Sequence, residues 1–413
     1  MNYRIIRLMV LLLAVKCLTV EAFRGGMAQG GINNFQEFQL AANRLNNHEP
    51  LYIPEQGPKL LNQFVSSPLV PMLLRPLARL PARTGFSVWT AMETGALLLA
   101  IGLYIWGTGL RILDDAVAVL LILFTGYRYW PSVLELGMGN TDLFLLVAVC
   151  GMYVCDRYGK WMWLALLVAL AALTKTWMLG VLFYLLARRQ WLAAIAGCAF
   201  FGAGLAIMFY LIGWKEFPQW IAITHRYSSQ PLNVSHSVAG MTRIFFSANP
   251  LTTPLVNSAA VHLAALAAGY GYLVCGLFCL WWRGPEMNAY QARLCLGLTP
   301  LALVLGNTLS HQYYLVLALP LLWTLLVGSA DSSPGWGVRL AAFALYLVLS
   351  IPSPGDPLPE ALKHGPKMLE VATSFGSGML LFGLGVCVVM REFPADAGKP
   401  VPVAGLPEAD VAA

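Results

Sequence analysis

"WLAAIAGCAFFGAGLAIMFYLIG", residues 191–213, contains no charged side chain and no proline. A helix needs roughly 20 apolar residues to cross the hydrocarbon core of a bilayer, so this stretch predicts a membrane span. Outward from it, the same character recurs over residues 5–22, 85–106, 113–127, 142–155, 161–174, 176–187, 258–282, 292–307, 313–328, 338–352 and 373–391. The alternation of roughly ten-residue strands that marks a membrane barrel is missing. The expected fold is an all-α polytopic membrane protein of about 11–12 transmembrane helices.

Composition agrees: 58% of the residues are apolar and only 11% charged, outside the range of soluble globular domains. Residues 1–391 read as one integral-membrane domain and the Pro- and Ala-rich residues 392–413 as a disordered tail. The start, "MNYRIIRLMVLLLAVKCLTVEAF", has the basic and apolar regions of a signal sequence, but Lys16 interrupts it and no small-x-small cleavage site follows. It reads as an uncleaved first helix. The eight cysteines sit in or beside apolar runs without metal-ligand spacing and read as packing residues.

Basic residues gather in short connections at alternate ends: Arg4 and Arg7, Arg111, Arg157 and Lys160, Arg188 and Arg189, Arg283, Arg339 and Arg391. This bias predicts cytoplasmic termini. The long connections 23–84, 128–141, 214–257 and 353–372 then share the external face, together with five of the six histidines and a second set of cations. Long loops escape the charge rule, but the cations still need a role. Snorkelling to headgroups is one reading, notably for Arg75, Arg79 and Arg83. An anionic ligand such as a phosphate is the other.

The external segments carry the candidate chemistry. In "NNFQEFQLAANRL", residues 33–45, Phe35, Phe38, Ala41, Ala42 and Leu45 share a helical face that could lie flat in the interface, with Asn33 or Asn34 as cap and Gln36 or Glu37 completing a capping box. Asn34 and Glu37, three apart, share a side of that helix. Four prolines in residues 64–84 predict a re-entrant or interfacial element. In "YRYWPSVLELGMGNTDLFLL", residues 127–146, Asp142 reads first as a helix cap, whereas Arg128 and Glu135 are charges of the kind that face a cavity. Lys175 reads as an anion contact or a snorkelling side chain. Residues 223–245 combine His225, Arg226, His236, Ser237 and Arg243, and Asn233 opens an N-x-S sequon. Residues 307–320 add Asn307, Ser310, His311, Tyr313 and Tyr314. Walker, HExxH and nucleophile-elbow motifs are absent from the sequence, as is a nucleotide-binding domain.

In order along the chain, these segments resemble glycosyltransferase family 87 of the GT-C superfamily. The resemblance runs from about residue 30 to 330. It rests on "NFQEFQLAANRL" with "PLY" at 50–52, "SPLVPMLLRPLARLP" before Trp89, "GMGN" at 137–140, Lys175 followed by Arg188, Arg189 and Trp191, "SHSVAGMTR" at 235–243, and "SHQYYLV" with Pro320. It implies a GT-C-like membrane fold and inverting, metal-independent transfer of a hexose, typically mannose, from a polyprenyl-phosphate donor to a lipid or glycan acceptor. An external carboxylate would serve as general base. No cofactor and no nucleic-acid partner is implied; the lipid-phosphate sugar is a substrate, and membrane lipids surround the protein.

Carried onto this chain, the resemblance points to Asn34 and Glu37 for the catalytic position. Arg128, Asn140, Lys175, His225, Arg226, His236, Ser237, Arg243, His311 and Tyr313 are the expected donor-phosphate or substrate contacts. The chain departs from the family at Asn34, where the family has Asp, at Met138 in place of Gln, and at Tyr313 in place of His. A primary amide cannot accept the proton, so either Glu37 supplies the base, with Glu49, Glu55, Glu135 and Asp142 as weaker substitutes, or the chain is a relative with altered or lost activity that binds without catalysis. Transport of a glycolipid or polyprenyl carrier is a further reading, but it predicts internal repeats and midplane charges, of which only Glu93 is evident. A bacterial inner membrane is the expected location.

Overall fold

A computed structural model describes residues 3–28, 33–53, 64–229, 235–248, 253–308, 310–328, 332–351 and 366–391. The sequon at Asn233 and the tail 392–413 lie outside them. Every regular element among the described residues is helical. In chain order they are α1 (Tyr3–Ala28), α2 (Asn33–Asn46), α3 (Leu69–Ala78), α4 (Ala82–Thr108), α5 (Ala116–Arg128), α6 (Trp130–Met138), α7 (Asp142–Arg157), α8 (Trp161–Thr174) and α9 (Leu182–Ala187). There follow α10 (Trp191–Ile212), α11 (Glu216–Ser229), α12 (Val238–Phe246), α13 (Ala259–Arg283), α14 (Ala289–Gly306), α15 (Leu319–Val327), α16 (Trp336–Leu349) and α17 (Pro366–Met390).

Among the described residues, five helical stretches are long and apolar enough to cross a bilayer alone: α4, α10, α13 with its 3-10 extension, α14 and residues 372–390 of α17. A sixth span results if α5 and α6, bent by 48° at their junction, are taken together. The expected segments at 161–174, 176–187, 313–328 and 338–352 are shorter apolar helices, some continued by 3-10 turns. The bend comes from the sequence: Tyr129 is extended, and Pro131, which lacks an N–H, stands in the first turn of α6. Residues 130–138, expected as part of a connection, are therefore a second helix.

Helices α4 and α7 form the most extensively packed pair among the described residues. Gly107 permits their approach, because a Cβ there would stand 2.8 Å from the backbone of Tyr153. Buried aromatic side chains then join further helices in a region where each polar atom needs a partner. Tyr104 and Trp323 have ring centroids 4.9 Å apart, the Tyr104 and Thr324 hydroxyls are 3.0 Å apart, and Trp323 Nε1 donates to Thr125 Oγ1 at 3.0 Å. Tyr153 donates to the Arg293 carbonyl at 2.9 Å.

The long connections fold onto one another. The apolar face of α2 does not lie in lipid: Phe35, Phe38, Ala41 and Ala42 are all buried within the protein, in a cluster with Phe64, Leu74, Trp89 and Trp220. The Pro-rich element forms the short helix α3 beside α2. Gln39 Nε2 donates to the Leu80 carbonyl at 3.0 Å, and Arg75 Nε donates to Asn46 Oδ1 at 2.9 Å. Glu216, at the start of α11, accepts the backbone N–H groups of Leu51 and Tyr52 at 3.2 and 3.1 Å, while Ser67 Oγ donates to the Leu173 carbonyl.

Gly107→Val should push α4 from α7 against backbone that cannot give way, costing about 1–3 kcal/mol. A lowered apparent melting temperature of the purified protein in detergent, with Gly102→Val as the open-space control, would check this.

Candidate functional site

The α6–α7 turn organises the site. Gly139 ends α6 with φ +64°, a left-handed conformation, and its missing side chain makes room for Phe35, whose Cβ would lie 2.9 Å from a Cβ at this position. Asn140 is buried and turns its Oδ1 onto the Thr141 N–H at 2.9 Å. Thr141, not Asp142, precedes the helix, and the cap reading of Asp142 is corrected: its carboxylate receives Lys175 Nζ on both oxygens at 2.8 Å. Lys175 holds extended backbone where α8 ends, so its side chain leaves the helix and reaches α7.

The ammonium of Lys175 also lies 3.7 Å from the ring centroid of Tyr314 and 5.8 Å from that of Tyr313. Two of its three N–H bonds are directed to Asp142 and it sits against an aromatic face. Neither snorkelling nor a free anion contact describes it. Glu135 Oε1 accepts the Asp142 N–H at 2.5 Å, while its Oε2 and both oxygens of Glu93, on α4, are buried without a hydrogen-bond partner. Asp142 is thus the carboxylate that meets the ammonium, with the buried carboxyl of Glu135 beside it on the preceding turn.

A polar seam continues from Tyr314. The Tyr313 ring stacks on His311 with centroids 5.0 Å apart and planes 10° apart, and Asn34 Nδ2 reaches the Tyr313 hydroxyl at 3.5 Å. Residues 235–237 are tied to this segment: the His236 N–H donates to the Ser310 carbonyl at 2.6 Å and the Ser310 N–H to Ser235 Oγ at 2.8 Å. Ser237 is committed to structure, capping α12 by accepting the Gly240 N–H at 3.1 Å. The His236 ring is buried, and burial, reinforced by the neighbouring His311, lowers its pKa to about 3. Glu37 stands one turn beyond Asn34 on α2 and is half-buried; burial raises its carboxyl to about 7.

The structure therefore brings Asn34, Asn140, Lys175, His236, His311 and Tyr313 into one connected region, with Glu37 on the adjoining turn of α2. Arg128 is directed elsewhere, pairing with Glu21 of α1 at 2.8 Å. His225 and Arg226 on α11 and Arg243 on α12 occupy exposed positions. The pairing of Asp142 with Lys175 and the clamp formed by Glu216 were not visible in the sequence. Glu93 did give a signal, as a lone carboxyl inside an apolar run. Among the described residues no three His, Cys, Asp or Glu side chains are grouped as metal ligands.

Residues 64–306, more than half of the chain, match the model of glycosyltransferase family 87, and the chain belongs to that family. No curated protein matches it. The protein is a membrane glycosyltransferase by family.

Asp142→Asn should leave the Lys175 ammonium buried without its counter-charge, at a cost of about 3–5 kcal/mol. The double change Asp142→Asn with Lys175→Met should recover most of the loss, as read from the apparent melting temperatures of the three variants beside the unmodified protein.

Proposed function

We propose that this member of glycosyltransferase family 87 transfers a hexose, mannose in the simplest case, from a polyprenyl-phosphate-linked donor to a hydroxyl of a lipid or glycan acceptor. The observation that carries the reading is Glu37, a carboxyl held near pKa 7 by burial, one helical turn from the amide that stands at the family's carboxylate position. A general base works best with a pKa near the working pH.

In this mechanism Glu37 takes the proton of the acceptor hydroxyl as that oxygen forms its bond to the anomeric carbon. The bond from the anomeric carbon to the phosphate oxygen breaks, and polyprenyl phosphate leaves with the electron pair, inverting the anomeric centre. Asn34 and Tyr313 are linked donors beside the base, suited to hold donor oxygens, and the exposed cations Arg226 and Arg243 would draw the phosphate towards the site. The bias of basic residues towards the short connections supports cytoplasmic termini with this chemistry on the external face, and a bacterial inner membrane is the setting proposed.

The test is turnover of a radiolabelled polyprenyl-phosphate mannose with a lipid extract as acceptor. Glu37→Gln should lower kcat by roughly 100-fold or more. In the unmodified protein kcat/KM should rise with pH through about 7, since the base must first lose its proton, and this limb should vanish in the variant. Full activity of Glu37→Gln would remove Glu37 from the mechanism, and donor binding without turnover in the unmodified protein would favour a binding role.

A further inference from the structure

We propose that His236 is a substrate-positioning residue that hydrogen-bonds a sugar hydroxyl through Nδ1, and not a phosphate contact. The inference rests on the sugar-transfer reading and assigns one residue within it.

His236 is 5% exposed, yet its Nδ1 has no hydrogen-bond partner. A buried polar atom left without a partner is destabilising, so the position calls for a ligand. The surrounding backbone is fixed to hold the ring there. The His236 N–H is bound to the Ser310 carbonyl, the Ser310 N–H to Ser235 Oγ, and the Ser235 and Ser237 hydroxyls are 2.8 Å apart. Gly240 closes the knot, since a Cβ there would lie 2.3 Å from the Ser235 Cβ. Segments 75 positions apart are thereby locked together. Beside the ring, His311 stacks on Tyr313, whose hydroxyl meets the Asn34 amide, so a connected path leads from His236 to the proposed base turn.

The chemistry selects the ligand class. With burial and His311 both disfavouring the imidazolium, His236 offers one neutral nitrogen that either donates or accepts, according to tautomer. A hydroxyl satisfies either case because it does both. The phosphodiester of a polyprenyl-phosphate sugar only accepts, and its charge would favour a cationic partner. A sugar hydroxyl is the better match.

The orphan atom also gives a test that mere packing would not pass. Asparagine places an amide atom where Nδ1 stands, whereas glutamine places it at the Nε2 position. Binding of octyl mannoside, which has hydroxyls and no phosphate, and of citronellyl phosphate, which has phosphate and no sugar, would be measured by calorimetry in nanodiscs. His236→Ala and His236→Gln should weaken mannoside binding by about 3- to 10-fold, the worth of one neutral hydrogen bond. His236→Asn should stay within about 2-fold of the unmodified protein, and citronellyl phosphate should bind all four proteins alike.

Equal mannoside affinity in all four, Asn as weak as Ala, a loss confined to the phosphate, or no mannoside binding by the unmodified protein would each overturn the assignment. Turnover with unchanged mannoside affinity in the variants would reject His236 alone. A retained Asn-against-Ala difference without turnover would reject the transfer reading while the hydroxyl site stood.

Discussion

The bidentate contact between Lys175 and Asp142 is the constraint on which the site depends. Both groups are buried, with side-chain exposures of 11% and 0%, so neither charge can be left to water. Each therefore fixes the element that carries it. Asp142 opens α7, and its own N–H is held by Glu135 of α6, so the pair sets the geometry of the α6–α7 turn. Lys175 lies against Tyr314, which in turn fixes the 311–314 segment where His311 and Tyr313 stand. A buried ion pair is weak evidence for stability but a strong restraint on register. Here it joins three parts of the chain that share no sequence proximity.

Because that pair consumes the lysine, the electrostatics of the region differ from those of a simple phosphate-binding patch. Glu93 and Glu135 add buried carboxyl groups with unpaired oxygens, while Arg128 and Arg75 are engaged by Glu21 and Asn46. His236 contributes no positive charge. The interior thus offers hydroxyl-matching groups such as an amide, a phenol and a neutral imidazole, and Arg226 and Arg243 stand exposed outside it. That division suits a substrate with a polar, uncharged sugar at one end of a charged phosphate.

The bundle was legible because bilayer thickness imposes a length and apolarity that no other fold needs, as in residues 191–213. The residues proposed for the site stand out through their chemistry: amides, imidazoles and cations in long connections of an apolar chain. Their partners do not. Asp142 and Lys175 are 33 positions apart, and nothing in their spacing couples them, so local context reads the one as a cap and the other as an anion contact or a snorkelling side chain. The α2 face failed for a related reason. Its period is that of an amphipathic helix whether it meets lipid or protein, and only the folding of α3, α4 and α11 around it decides which.

On the proposed mechanism, helix geometry allows Asn34 and Glu37 to act together. Residues three apart lie on the same side of a helix, about one turn and roughly 4.5 Å along its axis. Helical side chains lean towards the N-terminus, the direction in which Asn34 lies from Glu37. The amide, meanwhile, donates to the Tyr313 hydroxyl, a contact whose proton an amide nitrogen supplies and an ionised carboxylate cannot. The pair can therefore divide between two residues what a single aspartate would have to combine. Asn34 ties the start of α2 to the 311–314 segment, and on the proposed mechanism Glu37, whose carboxyl burial raises to about 7, would be left to take the proton.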